Sequence, residues 1–377
     1  MQELNDVDTP ELMRATVLVG HGGLGKLVYR EDVPVPLPQS GDVLVRVGAC
    51  GVNNTDVNTR TAWYDRDVDS GVSEQFGVQG RQDDLSDGRV AASWNTAAMS
   101  FPRICGAAVV GRIVRTGDSV DASRIGQRVM VDPQVRDTSL PERAQLVAYL
   151  GSERDGGFAQ FVAVPAPNAH VVESDLSDEE LATFPCSYDT AEEMLVRTDL
   201  AAGETVVVTG AAGGVGTALI QLAKVRGARV IAIASAAKEE RVRAVGADAF
   251  LARDAEDLVG KVRTLSGDAG AHVVADVVGG PSFGDLLKML RRAGRYATAG
   301  AIAGPLETID LRDLIYQDLE MHGITCPAAS TFARVVGLVS SGQVKPLLDG
   351  VFPLERLGDA QAALVKREHV GKLVVTP

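Results

Sequence analysis

The segment Thr209-Gly210-Ala211-Ala212-Gly213-Gly214-Val215-Gly216 limits the folds open to this chain more than any other. It follows the apolar, β-branched run 205–209 and opens a segment, 215–226, with an apolar stripe of helical period. The order is therefore strand, glycine turn, helix. Gly210, Ala212, Gly213 and Gly214 let the backbone come close to a pyrophosphate. The helix start at Val215 and Gly216 supplies unpaired N–H groups and a positive dipole end. The alternation continues with strands at 229–235, 272–277 and 294–299 and helices at 238–245 and 283–292. A β-α-β-α order predicts a doubly wound parallel sheet with helices on both faces that binds a dinucleotide.

A second pattern, Gly20-His21-Gly22-Gly23-Leu24-Gly25, fits the dinucleotide spacing literally. Pro34, Pro36 and Pro38 follow it where a helix would have to start, so it reads as a hairpin turn. Where the strand 229–235 ends, an NAD site calls for a carboxylate to hold the ribose 2′-hydroxyl. The chain has Ala234-Ser235-Ala236-Ala237-Lys238 there. A small hydroxyl at Ser235 and an ammonium at Lys238 suit a 2′-phosphate, so NADPH (NADP+) is the expected cofactor.

The region 14–50 and the stretches 107–114, 128–131 and 159–164 are short, apolar and glycine-punctuated, which predicts a partly closed β-structure. Between them, 65–100 is polar and is expected to be a surface loop or lid, with Trp63 and Trp94 near its ends. After a last strand of the parallel sheet at 321–326, helices at 331–341 and 359–366 and extended pieces at 351–353 and 372–376 complete the chain.

With 377 residues there is room for two cores. A net charge of −13 argues against nucleic-acid or anionic-membrane partners, because phosphates repel such a surface. No apolar run is long enough to span a bilayer, and the polar, acidic residues 1–10 do not read as a signal or transit peptide. Cys50, Cys105, Cys186 and Cys326 lie far apart without a CxxC pair, which points to a reducing compartment, the cytoplasm.

Over nearly its whole length the chain resembles the medium-chain dehydrogenase/reductase superfamily. The carrying segments are Val33-Pro34-Val35-Pro36, Gly41 to Arg46, Gly51-Val52-Asn53-Asn54-Thr55-Asp56, 106–111, Asp155-Gly-Gly-Phe-Ala159, 210–216 and Gly371-Lys372. The glycine loop is similar to that of the zinc-free quinone oxidoreductases and 2-enoyl thioester reductases. The resemblance implies a GroES-like, partly closed β-barrel substrate domain over 1–166, which carries the polar insertion. It implies a Rossmann NADP-binding domain over 167–327, and a return to the first domain over 328–377. It also implies a homodimer. Zinc members carry a Cys-His pair where this chain has Asn53-Asn54, and a His-Glu pair where it has Ala107-Ala108. Only Cys186 matches a ligand, and one thiol cannot hold a catalytic zinc. No cysteine lies between 106 and 185 to form a structural zinc lobe. His322 and Cys326 have metal-pair spacing but read as core residues, so no metal site is expected.

Without a Lewis acid, a conjugated C=C is a more natural hydride acceptor than a plain carbonyl. Its reduction needs donors for an enolate oxygen and a proton for the α-carbon. The resemblance puts Tyr64 forward as general acid, Thr55 as a hydroxyl donor and Asn53 facing the nicotinamide or substrate. Asp56 is expected to order the local backbone. The resemblance also places Thr190 near the nicotinamide, Arg253 and Arg367 near the phosphates, and Lys372 among the cofactor-binding residues. The expected activity is NADPH-dependent reduction of an activated C=C or quinone on a small-molecule substrate. Alternatives are a metal-free carbonyl reductase or alcohol dehydrogenase, and an NADPH-binding structural or regulatory protein without turnover.

Overall fold

A computed structural model describes residues 9–81 and 99–377. The glycine loop sits where the sequence placed it, on a six-stranded sheet. Along the sheet the strands run Ala249–Ala252, Arg229–Ala234, Thr205–Val208, Ala271–Asp276, Leu290–Thr298 and Glu320–Gly323, every neighbouring pair parallel. Chain order reverses beside Thr205–Val208, and ligands of such sheets bind outside the carboxyl end of the strands at that reversal. All four residues of this strand are buried: Val206 and Val208 join one core, Val207 the other. Opposite faces of a strand alternate, so a continuous Val run marks a sheet covered on both sides.

The other sheet joins Ala169–Val171, Arg128–Val131, Ala108–Thr116, Asp42–Gly51, Lys372–Thr376 and Leu348–Pro353, with Phe161–Pro165 also pairing Asp42–Gly51. A three-stranded sheet of Leu27–Pro34, Leu12–Leu18 and Arg103–Ile104 closes against it over a shared core, tied by Thr16 N to Phe158 O at 2.9 Å. This is the GroES-like unit. The pattern at 20–25 connects two antiparallel strands, as a hairpin turn should. The last strand, Lys372–Thr376, pairs with Cys50 and Gly51, which brings the chain end beside the start of the segment Asn53–Tyr64.

Three details differ from the sequence reading. The segment after Asn53 is a helix, Asn54–Thr61, rather than a loop. The polar insertion begins with a helix of its own, Glu74–Gln79, capped by Ser73 and pressed so tightly on the helix Leu357–Lys366 that a Cβ on Gly77 would lie 2.5 Å from Val365. Residues 82–98 of the insertion, Trp94 among them, lie outside the described residues. The helix expected over 283–292 stops at Lys288, because Leu290 is taken into the next strand. Among the described residues no helix is long and apolar enough to cross a membrane.

Candidate active site

A cleft of about 1330 Å³ runs between the two units. Asn53, Thr55, Tyr64, Thr190, Gly210, Ala212, Gly213, Gly214, Val215, Ser235, Lys238, Arg253, Arg367 and Lys372 all line it. Gly216 does not. A Cβ there would lie 2.2 Å from Gly210 O and 2.7 Å from Ala211 Cα, so Gly216 lets the helix pack on the loop rather than facing a ligand.

The loop end of the cleft has the features of an anion cradle. Gly210 has φ +54°, a left-handed conformation that glycine adopts without strain. The helix Gly214–Val225 starts at Gly213 with no side-chain cap, leaving its first N–H groups open to an anion. The C-terminal segment closes on the loop through Gly371 N to Ala212 O at 2.9 Å. Beyond the second strand, Lys238, Arg241, Arg253, Arg367 and His369 gather at one side of the cleft. Crowding of these cations lowers their proton affinity. Burial first, then Arg241 and Arg253, lowers the Lys238 pKa; burial and Arg253 lower that of Arg367; burial and Lys238 push His369 down to about 4. Arg241 pairs with Asp349, whereas no carboxylate pairs with Arg253 among the described residues. Lys238 Nζ donates to Arg367 O at 2.5 Å and His369 O at 2.7 Å, contacts that leave its charge intact.

At the other end, Asn53 precedes the helix Asn54–Thr61. Its N–H donates to Asp56 Oδ2 at 2.8 Å, while Gly106 N donates to Asp56 Oδ1 at 3.1 Å. Asp56 therefore orders the backbone of two segments, as expected. Its burial pushes the carboxyl up to about 6. One helix later, the Tyr64 hydroxyl donates to Thr55 Oγ1 at 3.0 Å, and burial pushes the phenol up to about 12. Trp63 supports this corner edge-on to Tyr64, with its indole N–H on Ser70 O at 2.9 Å. Lys372, expected among the cofactor-binding residues, is buried, and its ammonium points to Val52 O and Asn53 Oδ1, toward the reacting end of the cleft.

Residues 39–174 match the alcohol dehydrogenase GroES-like domain family, and residues 214–341 match the zinc-binding dehydrogenase family. The crystal structure of a putative alcohol dehydrogenase from Sinorhizobium meliloti 1021 has a TM-score of 0.88 and 47% identity over 98% of each chain. The chain belongs to the medium-chain dehydrogenase/reductase superfamily. This reductase is also 26% identical to the quinone oxidoreductase of Rattus norvegicus, over 97% of its own length and 98% of the relative's. It is 28% identical to the acryloyl-coenzyme A reductase of Metallosphaera sedula, over 97% of its own length and all of the relative's.

Sequence reasoning missed Tyr149, and it singled out Cys186 only as the one match to a zinc ligand. Tyr149, from the strand Leu146–Tyr149, donates to Cys186 Sγ at 3.3 Å. Cys186 has φ +68°, a strained conformation for a side chain with a Cβ, and its carbonyl accepts from Thr190 Oγ1 at 2.6 Å. Burial pushes its thiol up to about 12, so it is held as a thiol. Nothing in the spacing of Tyr64, Tyr149 and Cys186 along the chain signals that they share a cavity. Among the described residues no group of three His, Cys, Asp or Glu side chains is placed to hold a metal ion.

Proposed function

We propose that this oxidoreductase uses NADPH to reduce an activated C=C, in an enone or enoyl compound, or a quinone, without zinc. The observation that carries the proposal is the set of groups at the reacting end. Around Asn53, which stands where the resemblance puts a zinc ligand, this chain presents neutral and cationic hydrogen-bond donors: the Asn53 amide, the Thr55 hydroxyl, the Tyr64 phenol and the Lys372 ammonium.

A dinucleotide fits the other end, since a Cβ on Gly210 or Gly214 would fill the cradle, meeting Val277 at 2.8 Å or Lys372 at 2.6 Å. The N–H groups at Gly214 and Val215 would hold its diphosphate, and Ser235, Lys238, Arg253 and Arg367 its 2′-phosphate. When bound, the reduced nicotinamide supplies a hydride. Thr190, one turn into the helix Ser187–Arg197, lies beside the path to the reacting end. As hydride reaches the β-carbon, the C=C electrons move toward the conjugated oxygen, and donors held there without reorganisation stabilise the charge. Tyr64 stays protonated at neutral pH, so it delivers the proton that the α-carbon takes up. Thr55 Oγ1 then stabilises the phenolate through the bond they share.

The absence of a carboxylate after the second strand and the basic group around Lys238 support NADPH over NADH. The edge strand Glu320–Gly323, paired on one side only among the described residues, with Met321 on it and Leu311, Ile315 and Tyr316 exposed nearby in the chain, supports a homodimer. The name of the Sinorhizobium structure favours a second reading, reduction of a carbonyl. Product analysis with NADPH, an enone and the matching saturated ketone separates the two. The saturated ketone should form from the enone and go no further; an allylic alcohol, or reduction of the ketone alone, would overturn the C=C reading.

A further inference from the structure

Lys372 enters the reacting end of the cleft from the last strand with 4% of its surface exposed. Glycines make the room for its stem. A Cβ on Gly214 would lie 2.6 Å from Lys372 Cδ, and one on Gly51 would lie 3.3 Å from Cε. Gly214 of the phosphate loop thus has a second reason to be glycine. The ammonium donates to Val52 O at 3.0 Å and to Asn53 Oδ1. Burial lowers its pKa while Cys186 and Asp56 pull the other way.

The amide of Asn53 has two ends that its neighbours can tell apart. An ammonium carries three donors and no acceptor, so the atom that faces it is the amide oxygen. On the other side Nδ2 lies 3.0 Å from Gly51 O, a carbonyl that only accepts. A donor-only neighbour and an acceptor-only neighbour leave one orientation of the amide. One N–H is then taken by Gly51 O; the second, on which the Asp56 carboxylate also draws, belongs to a side chain that lines the cleft.

We infer that Lys372 is a positioning residue that locks the Asn53 amide with its second N–H presented to the substrate oxygen. The cation on Oδ1 also withdraws electrons from the amide and strengthens that N–H as a donor, since linked hydrogen bonds polarise one another. The substrate class is one whose reduction puts negative charge on a conjugated oxygen. The inference rests on the hydride-transfer reading above and adds which group meets that oxygen and what holds it there.

Asn53→Asp keeps an acceptor for Lys372 but loses the N–H; Lys372→Met keeps the amide but loses the lock. Each should lower kcat by about 100-fold, the scale of one lost oxyanion donor. The NADPH Kd, read by cofactor fluorescence, should stay within about twofold, because binding of the cofactor and stabilisation of the transition state are separate terms. The double variant should be no slower than the slower single one, because the lysine acts through the amide. Lys372→Met that weakens NADPH and leaves kcat at saturating cofactor untouched would make Lys372 a cofactor ligand and overturn the inference. A second readout does not depend on turnover. With asparagine side chains labelled with 15N, and Asn53 identified by its loss in Asn53→Asp, Lys372→Met should shift its amide pair and speed its proton exchange. An unchanged pair overturns the lock even if no acceptor is reduced by the wild-type protein, a result that would by itself sink only the proposed reaction.

Discussion

Lys238 Nζ lies 2.7 Å from the carbonyl oxygen of His369, so a lysine just past the second strand of the parallel sheet grips the segment that returns to the GroES-like unit. The same ammonium stands beside Arg253 and Arg367. A phosphate placed among these three would relieve their repulsion; a bare 2′-hydroxyl would not.

Lys238→Ala should therefore weaken NADPH by roughly 10- to 100-fold, the range of one charge-assisted hydrogen bond, and NADH far less. Fluorescence titration with both cofactors reads the difference. Equal losses would show that Lys238 serves only to join the two segments.

Tyr64→Phe should lower kcat roughly 100-fold, the scale of one general acid, with the NADPH Kd unchanged. The pH profile adds a sign. A phenol pushed up to about 12 remains a donor through the neutral range, so wild-type turnover should show no fall near pH 10, where an unperturbed tyrosine ionises. A fall there that vanishes in Tyr64→Phe would contradict the burial of this phenol.

Metal analysis of the purified protein should find well under one zinc per chain, and chelator should leave turnover unchanged. Asn53, Ala107 and Ala108 offer no replacement for the ligands of the zinc relatives, and Cys186 is engaged by Tyr149. Stoichiometric zinc lost together with activity would reverse the proposal.

Asp189 offers a stability test. Its carboxyl is fully buried, takes a hydrogen bond from Gln134 Nε2 at 3.0 Å and has no partner for Oδ1 among the described residues. Burial, and then Asp132, raises its pKa from 3.8 to about 7; Arg136 pairs with Asp132, and Lys372, Tyr149 and Cys186 lie nearby. The folded chain therefore binds a proton that the unfolded chain has released. This contribution is fully present below pH 3.8 and is lost as pH rises through about 7. Asp189→Asn keeps an acceptor for Gln134 and cannot ionise. Its Tm at pH 8 should exceed the wild type's by about 2–4 °C, what about 1 kcal/mol is worth in a domain of 150–250 residues, with the gap closing toward pH 5. A gap independent of pH would show that Asp189 is not the titrating group.

Local signals carried the parallel sheet. Strand, glycine turn and helix are written within one short segment, and the Val run at 205–208 announces a strand buried on both faces. The short strand Ala249–Ala252 and the helix Leu258–Leu265 were not delimited beforehand, because a few apolar residues without a long period suit either state. The helix Asn54–Thr61 was missed for a related reason. It buries polar residues, Arg60 among them, whose guanidinium donates to Gly22 O at 2.8 Å and Gln361 Oε1 at 2.7 Å. A helix whose buried face is polar shows no apolar stripe.

By itself the sequence determined the two-domain α/β plan, the glycine turn between strand and helix and the lack of a carboxylate where the second strand ends. Each is a short-range pattern whose chemistry lies in neighbouring residues. Only the tertiary structure decided where charge points within the cleft. Lys372 is remote in sequence from Asn53, and whether its ammonium meets a phosphate or an amide depends on how the last strand pairs with Cys50 and Gly51 and on the space that Gly51 and Gly214 leave for its stem. Strand pairing and close packing join residues without regard to their separation along the chain, so no spacing in the sequence records that contact.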